Sequence, residues 1–223
     1  PSRAPSTAAS SSQTRVVKLY LASLSPARKE TLERVGIQPA LLPHEVDEEA
    51  LIGEASVAGV VEPTAIVQML AEAKALDACR RSKVTGLVLG GDSMFAVDGD
   101  VFGKPHTPEA ARERWLRQRG KTGVLHSGHS LVHCVDGEVM HTAGGATAAG
   151  VRFASDITED EIDAYIATGE PLKVAGAFTI DARGAGFIES IDGDPYTVVG
   201  LSVSKLRQLV RELGFSFTDL WNQ

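Results

Sequence analysis

The segment 16-VVKLYLASLSPARKE-30 sets the architecture, because it reads as a buried strand that runs straight into a helix. The apolar run 16–22 has the length and composition of a core strand. Ser25 suits an N-cap, Pro26 suits the first helical position, Leu32 and Val35 supply an inward stripe, and Gly36 suits the stop. Arg28 and Lys29 then fall in the first helical turn, where the backbone dipole disfavours cations. Two serine hydroxyls, free helix N–H groups and two cations on one small volume make a plausible phosphate cradle. The competing reading is an ordinary capped helix with solvated basic residues. The sign conflict with the dipole favours the cradle, although Glu30 offsets part of the charge.

The rest of the chain extends this into a mixed α/β pattern. The piece 37-IQPALLPHEVDEEAL-51 reads as extended and ends in an acidic patch. Pro63 opens a long helix over 63–79, with Ile66, Val67, Leu70 and Ala73 inward and Lys74 within it. A strand at 84–89 ends in 90-GGD-92, and 94-MFAVDGDVF-102 is a hairpin with an Asp-Gly turn. The same dipeptide recurs at 135-VDGE-138 and 192-DGD-194, which implies much antiparallel sheet. Helices are expected from Pro108 to Arg119, over 159–168 behind a Thr158/Glu161 capping box, and over 204–213. The stretch 124-VLHSGHSLVHC-134 alternates like a strand, and 196-YTVVG-200 reads as another. Residues 1–14 are Ser/Ala/Pro-rich and read as a tail, 15–217 as one domain, and 218–223 as a C-terminal tail.

Bulk properties narrow the function. The 223 residues are 43% hydrophobic and 23% charged, enough apolar matter for a substantial core. A net charge of -7 argues against duplex nucleic acid or an anionic membrane as main partner, while a small polyanion in a local basic pocket is compatible. Cys79 and Cys134 lie in separate segments with no CxxC, so a reduced chain in the cytoplasm is expected, with no disulfide framework or zinc cluster. Three places carry candidate chemistry: the Ser-Pro cradle, Asp92 behind two glycines with Lys104 across the hairpin, and the acids of 44-HEVDEEA-50. Acidic oxygens there could hold a hard divalent cation, although acid runs are commonly solvated surface, and Asp47 and Glu48 matter only if the fold brings them near Asp92. Walker A and dinucleotide fingerprints fail: Trp115 stands where the loop before 119-RGKT-122 needs glycine, and 184-GAGFIE-189 lacks its third glycine.

Taken in order, the blocks 21-LASLSPARKETL-32, 46-VDEE-49, 72-EAKA-75, 90-GGDS-93, 98-DGDVFGKP-105, 127-SGHSL-131, 161-EIDAYIATGEPLKVAGAF-178 and 184-GAGFIESIDGDPYTVVGL-201 resemble the Maf family of nucleoside triphosphate pyrophosphatases. The resemblance runs from about Val17 to Phe215. It implies an α/β fold with a mixed, elongated central sheet flanked by helices, and two lobes around a cleft. It also implies Mg²⁺- or Mn²⁺-dependent cleavage of a nucleoside triphosphate to a monophosphate and pyrophosphate. By motif match Asp92 is the catalytic proton acceptor and Glu48 a catalytic acid near the metal, so these two are the metal-side residues. Ser23, Arg28, Lys74 and Lys104 match the triphosphate site, with Ser93 and Asp181 at positions that bear on base choice. A homodimer is admitted by resemblance only. The chain departs from the family where Ala27 precedes Arg28 instead of a second arginine, and where Ser93 and Asp181 replace the threonine and glutamine of the thymidine/uridine branch. A second expectation, a nucleotide-binding regulator of septum formation with little turnover, stands beside the enzyme.

Overall fold

In the computed structural model, which describes residues 17–221, strand β1 (Leu19–Ala22) runs into helix α1 (Pro26–Arg34) as read from the opening segment. The expected tail 1–14 lies outside the described residues. A seven-stranded mixed sheet follows from β1, β2 (Ala40–Leu41), β3 (Gly86–Val97), β4 (Asp100–Phe102), β5 (Thr122–Val135), β6 (Glu138–Phe153) and β7 (Ile188–Asp192). Its order is β2-β1-β3-β5-β6-β7, with β4 paired to β3. Among the described residues only the β1–β2 and β1–β3 pairs are parallel. Asp98-Gly99 and Asp136-Gly137 both sit at positive φ, the geometry that a two-residue turn needs to follow the twist of the strands it joins.

Helices cover both faces of the sheet: α2 (Glu48–Val57), α3 (Pro63–Ser82), α4 (Pro108–Gln118), α5 (Glu159–Ala167), α6 (Pro195–Val199) and α7 (Val203–Glu212). Leu87 and Leu89 of β3 pack with Leu206, Leu209 and Val210 of α7, while the alternate Val88 packs with Ala75, Ala78 and Cys79 of α3. Further along the same strand, Phe95 and Val97 join a separate cluster with Trp115, Phe153 and Phe178. The three apolar clusters therefore occupy two ends of the long strands. Between them lies a polar, glycine-rich waist of Gly90–Ser93, Ser127–Ser130 and Gly144–Thr147, held in register across β3, β5 and β6.

The structure departs from the sequence reading at several points. The acidic patch is not extended: Asp47 caps α2 by accepting from the Ala50 N–H, and Glu48 and Glu49 occupy its first turn, where acids complement the dipole. The run 196–200 is helix instead of strand, because Asp194 caps it, Pro195 opens it and Gly200 at φ 105° closes it. The third Asp-Gly consequently leads into that helix and makes no hairpin. Strand β3 does not stop before 90-GGD-92 but runs through it. The segment from 218 is not a free tail as far as Leu220, which is buried, and Asp219 accepts the Val17 N–H. Cys79 and Cys134, expected to be reduced, are joined as a disulfide, because α3 and β5 bring their Cα atoms to 6.0 Å. None of the described helices is long and apolar enough to cross a membrane.

Candidate active site

The site forms at an interruption in the sheet edge. Strand β5 occupies one edge of β3 over residues 86–96. On the opposite edge β1 pairs only as far as Gly90, and β4 begins at Phe95. Residues 91–94 are thus left without a strand on that side. Asp92 and Ser93 point to opposite faces of the pleat, yet both border this gap.

On one face, the Lys74 ammonium bridges two carboxylates, 2.8 Å from Glu48 Oε1 and 2.7 Å from Asp92 Oδ1. Lys74 can lie there because α3 rides directly on the waist. A Cβ at Gly90 would fall 2.1 Å from the Ala71 carbonyl, and one at Gly128 would fall 2.1 Å from that of Val67. Only glycine permits that approach. Lys74 is 6% exposed and Asp92 13%, whereas Glu48 is 43% exposed and faces solvent from the start of α2. His44 borders the same charges. Burial lowers its pKa, Lys74 lowers it further, and Glu48, Asp77 and Asp92 pull it back up; its buried Nδ1 has no partner.

On the other face, Arg28 is buried with its guanidinium fanned over three oxygens: Nε donates to Gly200 O (2.8 Å), Nη1 to Ser23 Oγ (2.9 Å) and Nη2 to Ser93 Oγ (2.9 Å). All three acceptors are neutral. Burial lowers its pKa while Asp92 and then Glu48 oppose that, and a guanidinium stays charged under such pressure. Gly91 leaves the room for it, since a Cβ there would lie 2.9 Å from Arg28 Nε. Lys29, one residue on, turns outward to Glu33 at 3.3 Å. The helix start therefore carries one buried cation and one surface cation.

Of the residues singled out from sequence, Ser23, Arg28, Glu48, Lys74, Asp92 and Ser93 are brought together. Two are not. Lys104 is exposed in the segment after β4 and makes no hydrogen bond or ion pair among the described residues, and Asp181 pairs with Arg34 of α1 at 3.1 Å. Sequence reasoning missed Ser127, which shares a 2.8 Å hydrogen bond with Ser93 and donates to Thr197 O, and also the Gly200 carbonyl. Ser127 lies in the 127-SGHSL-131 block, but nothing local marks its contact with Ser93. Backbone carbonyls carry no sequence signal at all. Among the described residues no three His, Cys, Asp or Glu side chains converge on a ready-made metal cage.

Comparison with known proteins places these features in context. The family model described as "Maf-like protein" matches residues 18–213. A nucleoside triphosphate pyrophosphatase of Leifsonia xyli subsp. xyli is 54% identical over 212 residues, covering 93% of this chain and 98% of its own. Proteins of the same name from Saccharopolyspora erythraea and Corynebacterium jeikeium are each 46% identical, covering 92% of this chain and 97% and 100% of theirs. With the match spanning every element that builds the gap, the chain belongs to the Maf-like protein family.

Proposed function

We propose that this protein hydrolyses nucleoside triphosphates to a nucleoside monophosphate and pyrophosphate. The observation that carries the reading is the Glu48–Lys74–Asp92 cluster set beside the buried, carboxylate-free Arg28 in an open gap of the sheet. The names of the similar proteins support it. A triphosphate carries close to four negative charges, which repel an attacking water; Arg28 and Lys74 offset them and stabilise the charge that builds on the leaving pyrophosphate. Asp92 orients the water and takes its proton as the water oxygen bonds to phosphorus and the bond to the bridging oxygen breaks. Lys74 keeps Asp92 aligned for that role.

Glu48 and Asp92 are hard oxygen donors, and Mg²⁺ is commonly held by one or two carboxylates plus substrate phosphates. The donor set fits a divalent ion that arrives with the nucleotide, and such an ion would further neutralise the phosphates. Asp92→Asn preserves the hydrogen bond from Lys74 while removing the base. It is expected to lower pyrophosphate release at least about 100-fold in a protein that still folds, since Lys74 keeps Glu48 as a counter-charge. Chelation of divalent ions should abolish turnover of the native protein. Near wild-type release by Asp92→Asn would overturn the assignment, and nucleotide binding without turnover would favour a regulator.

A further inference from the structure

Arg28 can attract an anion because its hydrogen bonds leave its charge uncompensated, so its aim depends on how the three acceptor oxygens are held. Ser93 is fixed by strand β3 and by Ser127, and Ser23 directly follows β1. The third oxygen, Gly200 O, lies in the connection between α6 and α7 and has no sheet to hold it.

From the α6 side it is held by the helix stop, where the Gly200 N–H donates to Tyr196 O and Thr197 O and the Leu201 N–H to Tyr196 O. From the α7 side it is anchored on His129, a wholly buried residue of β5 that the proposed chemistry does not use. Its Nε2 accepts the Ser202 N–H at 2.9 Å. Its Nδ1 lies 3.2 Å from Gly145 O, which can only accept, so Nδ1 carries the proton and the ring is neutral with a defined tautomer. Gln68 grips the backbone of the same residue twice, donating to His129 O and accepting from His129 N. Ser202 in turn donates to Asp194 Oδ2 and caps α7, while Asp194 caps α6, so the connection is closed at its base. The charged groups that act on the ring are Arg28, Lys205 and Asp194: burial is the main cause of its neutrality, Arg28 and Lys205 reinforce it, and the Gly145 carbonyl and Asp194 oppose it.

We propose that His129 is a positioning residue: its neutral imidazole fixes the Ser202 amide, and through it the Gly200 carbonyl that aims Arg28 into the gap. The identity of the anion rests on the pyrophosphatase reading; the coupling between His129 and Arg28 does not.

The test uses the full chain labelled with ¹⁵N. The Arg28 Nε–H resonance is assigned by its disappearance in Arg28→Lys. In His129→Leu, which lacks the acceptor, that resonance should move and exchange with water about ten-fold faster. In His129→Gln, whose amide oxygen can stand in for Nε2, most of the protection should return. In parallel, His129→Leu should lower kcat/KM about ten-fold in the native background but less than about two-fold in Arg28→Ala, since residues acting as a unit are not additive. An unmoved Arg28 resonance, or equal losses in both backgrounds, overturns the proposal. Should His129→Leu not fold, His129→Asn, too short to reach Ser202, takes its place with the same criteria. Absence of turnover in the native protein would sink the pyrophosphatase reading while the resonance still decides the role of His129.

Discussion

Arg28 and Lys29 are consecutive cations with opposite fates, and the difference lies in what surrounds each. Arg28 is enclosed by Gly91, Ser23, Ser93 and Gly200, whereas among the described residues Lys29 pairs with Glu33 one turn away. Lys74 is held as tightly as Arg28 but by charge. Lys74→Met would leave Asp92 nearly buried without its cation. It is expected to destabilise by roughly 3 kcal/mol, read as a lower urea midpoint, and to suppress turnover. His129 adds a pH dependence. Burial, reinforced by Arg28 and Lys205, lowers its pKa from 6.5 to about 4 against the Gly145 carbonyl and Asp194. Because the unfolded chain binds that proton first, the contribution is complete above about pH 6.5 and is lost as pH falls to about 4, on the order of 3 kcal/mol in total. Denaturation midpoints across that range should fall for the native protein, and His129→Gln should flatten the slope.

At the scale of elements, helix α3 owes its height over the sheet to glycine, and the glycines can be sorted by what a methyl group would meet. At Gly128 it would strike the Val67 backbone at 2.1 Å, which cannot move without lifting α3. Gly128→Ala is expected to cost at least about 3 kcal/mol and to remove activity by displacing Lys74. At Gly53, inside α2, it would meet nothing within 4 Å. Gly53→Ala should stabilise by about 0.5–1 kcal/mol, and thermal melts of the two variants should move in opposite directions. The two helices misread from sequence, α2 and α6, were announced by their caps. In 44-HEVDEEA-50 the acid run concealed Asp47 as an N-cap, and in 194-DPYTVVG-200 the β-branched run concealed an Asp-Pro start and a glycine stop. Propensity is a weak prior over five residues, and end signals with tertiary docking outweighed it.

For the whole molecule, the Cys79–Cys134 bridge ties the end of α3 to β5 across 55 residues of chain. In the chain-entropy account a loop of that size contributes roughly 4 kcal/mol. Reduction, or Cys134→Ser, should lower the melting temperature, and mass spectrometry of alkylated protein should find both thiols blocked before reduction. The strand-helix opening, the hairpins at Asp98-Gly99 and Asp136-Gly137, the capping box at Thr158 and the family blocks were all legible in the sequence, because each depends on contacts within a few residues. The joining of Ser23, Arg28, Glu48, Lys74, Asp92 and Ser93 was not legible from spacing, and neither was the exclusion of Lys104 and Asp181. Those outcomes depend on where β1 ends and β4 begins along β3, and on how closely α3 can approach the waist. Local chemistry determined the elements and the kind of charge they carry. Long-range packing alone decided which charges meet, because the gap that gathers them belongs to no single segment of the chain.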